Sequence, residues 1–175
     1  GTDSTYNGPT KVGSNQGRPT TLSIVSIAEA GQPSSIGAYP SAGPNGPIFN
    51  DNDSKLEYTG TNATTGRGFT LGYSGRLILT PTNPTLTLGN SAMNASTLNL
   101  NATNGGSSRL TMGDVTINNN FTLQTGQGWT GFGRGNATMA SVTGTDRYLY
   151  LRPNTDTDIY VPGTISLGIG RLYAQ

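Results

Sequence analysis

Residues 74–124 read SGRLILTPTNPTLTLGNSAMNASTLNLNATNGGSSRLTMGDVTINNNFTLQ, and one small unit recurs through them. An apolar residue is followed by a polar or β-branched one and then by another apolar residue. The copies are Leu77-Ile78-Leu79, Leu86-Thr87-Leu88, Leu98-Asn99-Leu100, Leu110-Thr111-Met112, Val115-Thr116-Ile117 and Phe121-Thr122-Leu123. Gly, Asn, Ser and Pro fill the spaces between them. Side chains alternate along a strand, so the outer two residues of each unit share one face and the middle residue takes the other. Each unit is a very short strand with a small buried face, closed by a turn.

Strands this short find few partners within one chain, and an isolated hairpin is marginal in water. The expected solution is association. Leu77, Leu79, Leu86, Leu88, Leu98, Leu100, Leu110, Met112, Val115, Ile117, Phe121 and Leu123 are read as the shared core of such an assembly. The units that begin at 86, 98 and 110 are twelve residues apart, but those at 110, 115 and 121 are separated by five and six. A single-chain solenoid keeps a more even coil length, so this spacing counts against one.

Composition narrows the classes. Of 175 residues, 32% are apolar and 11% charged, well below the ordinary soluble domain in charge. Disorder usually combines low hydrophobicity with high net charge, whereas this chain carries only +1. The apolar residues are patterned, so the reading is β-structure with a solvent face of neutral polar side chains. A net charge of +1 gives no reason to expect nucleic acid. No run approaches the ~20 apolar residues of a membrane span, so no membrane insertion is expected. There is no cysteine and no histidine, which removes disulfides, thiolate metal sites and the usual general base. No cofactor is expected.

The flanks differ from the centre. Residues 1–50 hold Pro at 9, 19, 33, 40, 44 and 47 with many glycines, and read as an irregular Gly/Pro-rich arm or small attachment region. Its exception is 20–30, TTLSIVSIAEA, which is expected to be a strand because β-branched residues dominate. The segment 51–135 is the β-repeat shaft, and 136–175 a C-terminal β segment with Pro153-Asn154 and Pro162-Gly163 turns. No stretch keeps a helical period. Asp51, Asp53 and Glu57 open like a calcium loop, but Lys55 occupies a ligand position and the expected Gly and bidentate Glu are missing, so an Asx-rich turn is the better reading. Residues 125–136, TGQGWTGFGRGN, hold the only Trp and are read as a loop or a bulged strand. Asn-x-Ser/Thr sequons at 52, 62, 94, 101, 120 and 136 carry little information in a chain so rich in both residues.

The ending, Val161 to Gln175, carries Leu167-Gly168 and Arg171-Leu172-Tyr173. It resembles the end of a bacteriophage tail-fibre or tailspike shaft, where such a phrase stands before a self-cleaving chaperone. Such shafts also carry strings of Leu-x-Leu strands. The resemblance covers about the last hundred residues; it does not reach residues 1–50, and the Trp common in the phrase is replaced here by Gly170. It implies an all-β fold: an elongated trimeric fibre, either a triple-stranded β-helix or a β-prism-like shaft. It implies a homotrimer on a virion, made in the host cytoplasm, with other virion proteins as partners through the N-terminal region and a host surface glycan as a further partner. The expected function is structural and non-enzymatic host attachment. Trp129, Phe132 and Arg134 are the candidate receptor contacts, with Tyr39, Tyr58 and Tyr73 as further aromatic candidates. Two alternatives stand beside it. One is a capsid head fibre or cement protein. The other is a polysaccharide-degrading tailspike, for which Asp156 and Asp158 are the nearest thing to the pair of carboxylates that glycoside hydrolysis requires.

Overall fold

The computed structural model of the chain describes residues 4–13, 20–40, 48–49, 54–80, 84–103, 107–126, 132–154 and 156–175. Among these there is no helix; seventeen strands build the molecule. Nearly all their pairings are parallel, and each strand pairs with the strand one coil further along the chain. The chain is a β-solenoid.

One face is made by β2 (Thr21–Ile24), β4 (Ser54–Tyr58), β7 (Gly75–Leu79), β10 (Thr97–Thr103), β12 (Phe121–Thr125), β14 (Leu149–Arg152) and β17 (Leu172–Ala174). These strands pair in that order. A second face stacks β5 (Ala63–Thr64), β8 (Thr85–Leu88), the first half of β11 (Ser107–Ile117), the first half of β13 (Phe132–Thr143) and β15 (Ile159–Tyr160). A third stacks β1 (Lys11–Val12), β3 (Ile48–Phe49), β6 (Thr70–Leu71), β9 (Ser91–Met93), the second halves of β11 and β13, and β16 (Ile165–Ser166). β11 and β13 run through both of these faces and join them.

The alternation within each unit governs the packing. Leu98 and Leu100 are fully buried and Asn99 is half-buried on the opposite side of β10. Like residues stack coil upon coil. Leu56, Leu77 and Leu100 form one inner column, and Leu98, Leu123 and Leu151 another. Leu86, Leu110 and Ala137 line the second face, with Leu88, Met112 and Met139 beside them. Leu71, Met93 and Ile117 line the third. One cluster of buried apolar side chains continues from Val12 to Leu167. Burying a Leu is worth about 1.5–3 kcal/mol, and every coil adds several.

This overturns the argument against a single-chain solenoid. All twelve residues from Leu77 to Leu123 read as a shared core are enclosed by their own chain, none more than 6% exposed. The neighbours that short strands lack in sequence are supplied by adjacent coils. The twelve-residue spacing is the distance between successive faces, and the coil itself is about twice as long. Coil length is also uneven, because Leu56 meets Leu77, Leu77 meets Leu100, and Leu123 meets Leu151. The corners absorb the difference while the strands stay in register.

Two local expectations are also corrected and a third is narrowed. The strand within 20–30 is confined to Thr21–Ile24, and Gln32 N donates to Glu29 O in a turn that follows. The units at 110 and 115 are one strand, since Gly113 continues the ladder by donating to Gly89 O. Of the loop and strand readings left open for 125–136, the strand holds from Phe132, where β13 starts and continues unbroken to Thr143.

The N-terminal residues close one end of the coil stack. Val12, Ile24, Ile27, Ile36 and Ala38 are buried there. Ser4 and Ser34 exchange two backbone bonds, and the Ser26 and Ser35 hydroxyls hold the crossing. Glu29 accepts from Gly66 N through both carboxylate oxygens, clamping this segment to the second coil.

Candidate functional site

Parallel stacking turns a sequence interval into a column of outward side chains. On the second face Thr64, Thr87, Thr111, Thr138 and Tyr160 fall in one column, set by the register of β5, β8, β11, β13 and β15. Two residues earlier on each strand lies a second column, in which Thr85 precedes Arg109 and Asn136. The bond from Asp158 N to Asn136 Oδ1 (2.9 Å) extends this column by one coil. Neighbouring strands lie about 4.8 Å apart, so Arg109 and Asp158 are separated by about 10 Å of backbone with Asn136 between them.

At the end of these columns is a groove of about 320 Å³, lined by Arg109, Asn136, Thr138, Asp158, Ile159 and Tyr160, with Ala137 at its floor. Arg109 and Asp158 are exposed, and the Tyr160 ring is 62% exposed. Asn136 is fixed, since its Nδ2 donates to Ser107 Oγ (3.3 Å) while its Oδ1 holds Asp158 N. The guanidinium of Arg109 and the carboxylate of Asp158 have no hydrogen-bond or ionic partner among the described residues. The groove therefore offers a planar five-donor cation at one end, an anionic acceptor at the other, an amide and a hydroxyl between, and an aromatic ring beside them. A smaller groove of about 210 Å³ on the third face is lined by Thr116, Asn118, Thr143 and Arg147 among others, and carries no aromatic ring.

Trp129 lies outside the described residues. Phe132 and Arg134 are described as backbone only, where Phe132 pairs with Thr103 and Arg134 with Ser107. Tyr58 is withdrawn as a surface candidate. It is 2% exposed, its hydroxyl donates to Thr61 O (2.7 Å), and burial raises its pKa above the usual 10.0. Tyr73 is exposed and Tyr39 half-buried, both outside the groove. Of the two acids considered for hydrolysis, Asp158 enters the groove. Asp156 does not line it and sits in a turn at positive φ, 63°. Asp51 and Asp53 lie outside the described residues, and among those described no cluster of acidic side chains is placed to hold a metal.

Of the groove residues, the sequence reading names Asp158 only as a carboxylate paired with Asp156 and Asn136 only as a sequon, and it does not single out Arg109 or Tyr160. Their spacing of 22 to 27 residues is the coil step, and only the register reveals it. A second aromatic group stands on the first face. The Tyr150 and Tyr173 rings stack at 4.7 Å, Tyr148 meets Tyr173 edge-on, and Arg152 lies over Tyr150 at 5.6 Å while donating to Gln175. These side chains satisfy one another and stiffen the last coils.

Comparison with protein-family models, with curated proteins and with solved structures finds no match to this chain.

Proposed function

We propose that this chain is a structural, non-enzymatic component of a virion fibre or spike that attaches the particle to its host. The observation that carries the reading is the fixed outward grid on a closed solenoid. Every coil adds a rung of core and a rung of short polar side chains, so the coil stack holds a lateral recognition groove rigidly without a disulfide. The Leu167-to-Tyr173 ending, similar to the close of tail-fibre shafts, supports the virion setting. The original ground for a trimer is gone, because the leucines face their own chain. In this reading three copies associate side by side, through outward faces, as the resemblance implies.

The test has two parts. Mass spectrometry and immunogold labelling of purified particles are expected to find the chain on the virion, and purified protein is expected to compete with particles for adsorption to host cells. Absence from purified particles overturns the virion reading.

A further inference from the structure

We infer that the groove between Arg109 and Tyr160 binds a saccharide that carries a carboxylate, with the acid group on Arg109. The inference rests on the attachment reading and names the ligand of its groove. Four features of the groove select this chemistry. A guanidinium without a partner among the described residues presents paired N–H groups, the geometry that recognises a carboxylate bidentately. One coil away, Asn136 and Thr138 offer an amide and a hydroxyl, suited to the donor-and-acceptor pattern of ring hydroxyls. One coil further, the Asp158 carboxylate is acceptor-only and takes hydroxyl protons, while repelling a second acid at that end. The exposed Tyr160 ring supplies an apolar face for the C–H side of a sugar ring with a polar rim.

The order of these groups fixes a direction. An acidic residue belongs at Arg109 and a neutral residue at Asp158, about two strand spacings away. A ligand acidic along its whole length gains at one end and is opposed at the other. An oligosaccharide with one acidic unit next to neutral ones fits throughout. A flat anion such as phosphate lacks the C–H face that Tyr160 addresses.

Isothermal titration with three probes tests the proposal on the full chain: a galactosyl-galacturonate disaccharide, its methyl ester, and neutral galactobiose. The acid is expected to bind roughly tenfold or more tightly than the ester, the size of one charge-assisted pair. In Arg109→Gln that preference is expected to vanish, with the thermal midpoint unchanged because the side chain is exposed. In Tyr160→Ala both acid and ester are expected to weaken by similar factors, leaving the preference in place. Equal binding of acid and ester overturns the carboxylate assignment. An acid preference that survives Arg109→Gln overturns the site, as does the absence of binding by all three probes. None of these outcomes touches the presence of the chain on particles, which labelling reads separately.

Discussion

Gly89 lies directly against the carbonyl of Gly66 one coil below, so close that a Cβ on Gly89 would fall 1.9 Å from that oxygen. The same corner recurs at Gly113, whose added Cβ would meet Asn90, and at Gly163, whose added Cβ would meet Ala140 O at 2.3 Å. Backbones approach here because no side chain intervenes, which lets the second face bend into the third. Gly89→Ala must part these two coils and weaken the ladder bond from Gly89 N to Arg67 O. The expected cost is about 1–3 kcal/mol or more, read from denaturant unfolding. Gly8→Ala, whose Cβ would have only a Tyr6 ring atom at 3.9 Å, is expected to stay within about 0.5 kcal/mol.

Leu98 and Asn99 separate the single-chain core from any interface. Leu98 has no exposed surface and packs on its own coil neighbours, so Leu98→Ala should cost about 2–5 kcal/mol. Asn99 faces outward, and Asn99→Ala should cost about 0.5 kcal/mol or less in an isolated chain. The unfolding midpoint of Leu98→Ala is expected to fall equally at low and high protein concentration. A loss that disappears at high concentration would mean that the Leu98 core is completed by another copy.

The sequence declared the strands but concealed how they pair. Period-two alternation is local, so Leu-x-Leu units and their inward faces were legible at once. The coil was not, because β10 and β11 follow each other round a corner, and twelve residues separates faces where the full turn needs about twice that. Corners of different length blurred the repeat further. The Asn-rich composition, uninformative as sequons, has a physical cause in the fold. Asn62 Oδ1 accepts from Thr85 N, Asn90 from Asp114 N, and Asn120 from Tyr148 N, each reaching one coil onward. These side chains satisfy corner N–H groups that no strand pairs. The groove was invisible for the same reason as the coil: Arg109 and Asp158 become neighbours in a site only once the register is known.

Tyr58 makes stability fall at alkaline pH. Its phenol is buried, and desolvation raises its pKa above 10.0 in the folded chain. The unfolded chain ionises near the ordinary value of about 10. Between the two values the folded state binds the extra proton, so its stabilising effect is complete below pH about 10 and is lost as pH rises through the folded pKa. Thermal melts are expected to drop steeply above pH about 10. Tyr58→Phe is expected to lower stability near neutral pH by about 0.5–1.5 kcal/mol, by removing the bond to Thr61 O, and to flatten the alkaline fall. An equally steep fall in the variant would assign it to other groups.

Arg67 is the costliest side chain in the core. It has no exposed surface, and among the described residues its guanidinium makes one bond, from Nη1 to Gly37 O at 3.0 Å, with none at Nε and Nη2. Burial lowers its pKa, with Tyr6 acting weakly in the other direction. A guanidinium taken from water without a carboxylate is destabilising, and replacing such a charge by an apolar side chain of similar size is commonly neutral or stabilising. Gly37 O would not be stranded by the change, because Ser34 Oγ also donates to it at 3.0 Å. Arg67→Met is therefore expected to leave the unfolding free energy unchanged or raise it by about 1–4 kcal/mol. Arg67→Ala removes the packing as well as the charge and leaves a void beside Gly37, so it should fall below Arg67→Met by about 2 kcal/mol or more. Denaturant unfolding of the two variants side by side reads the difference. If Arg67→Met loses more than about 2 kcal/mol, the guanidinium is matched by a counter-charge in solution, and the N-terminal closure is built on that pair.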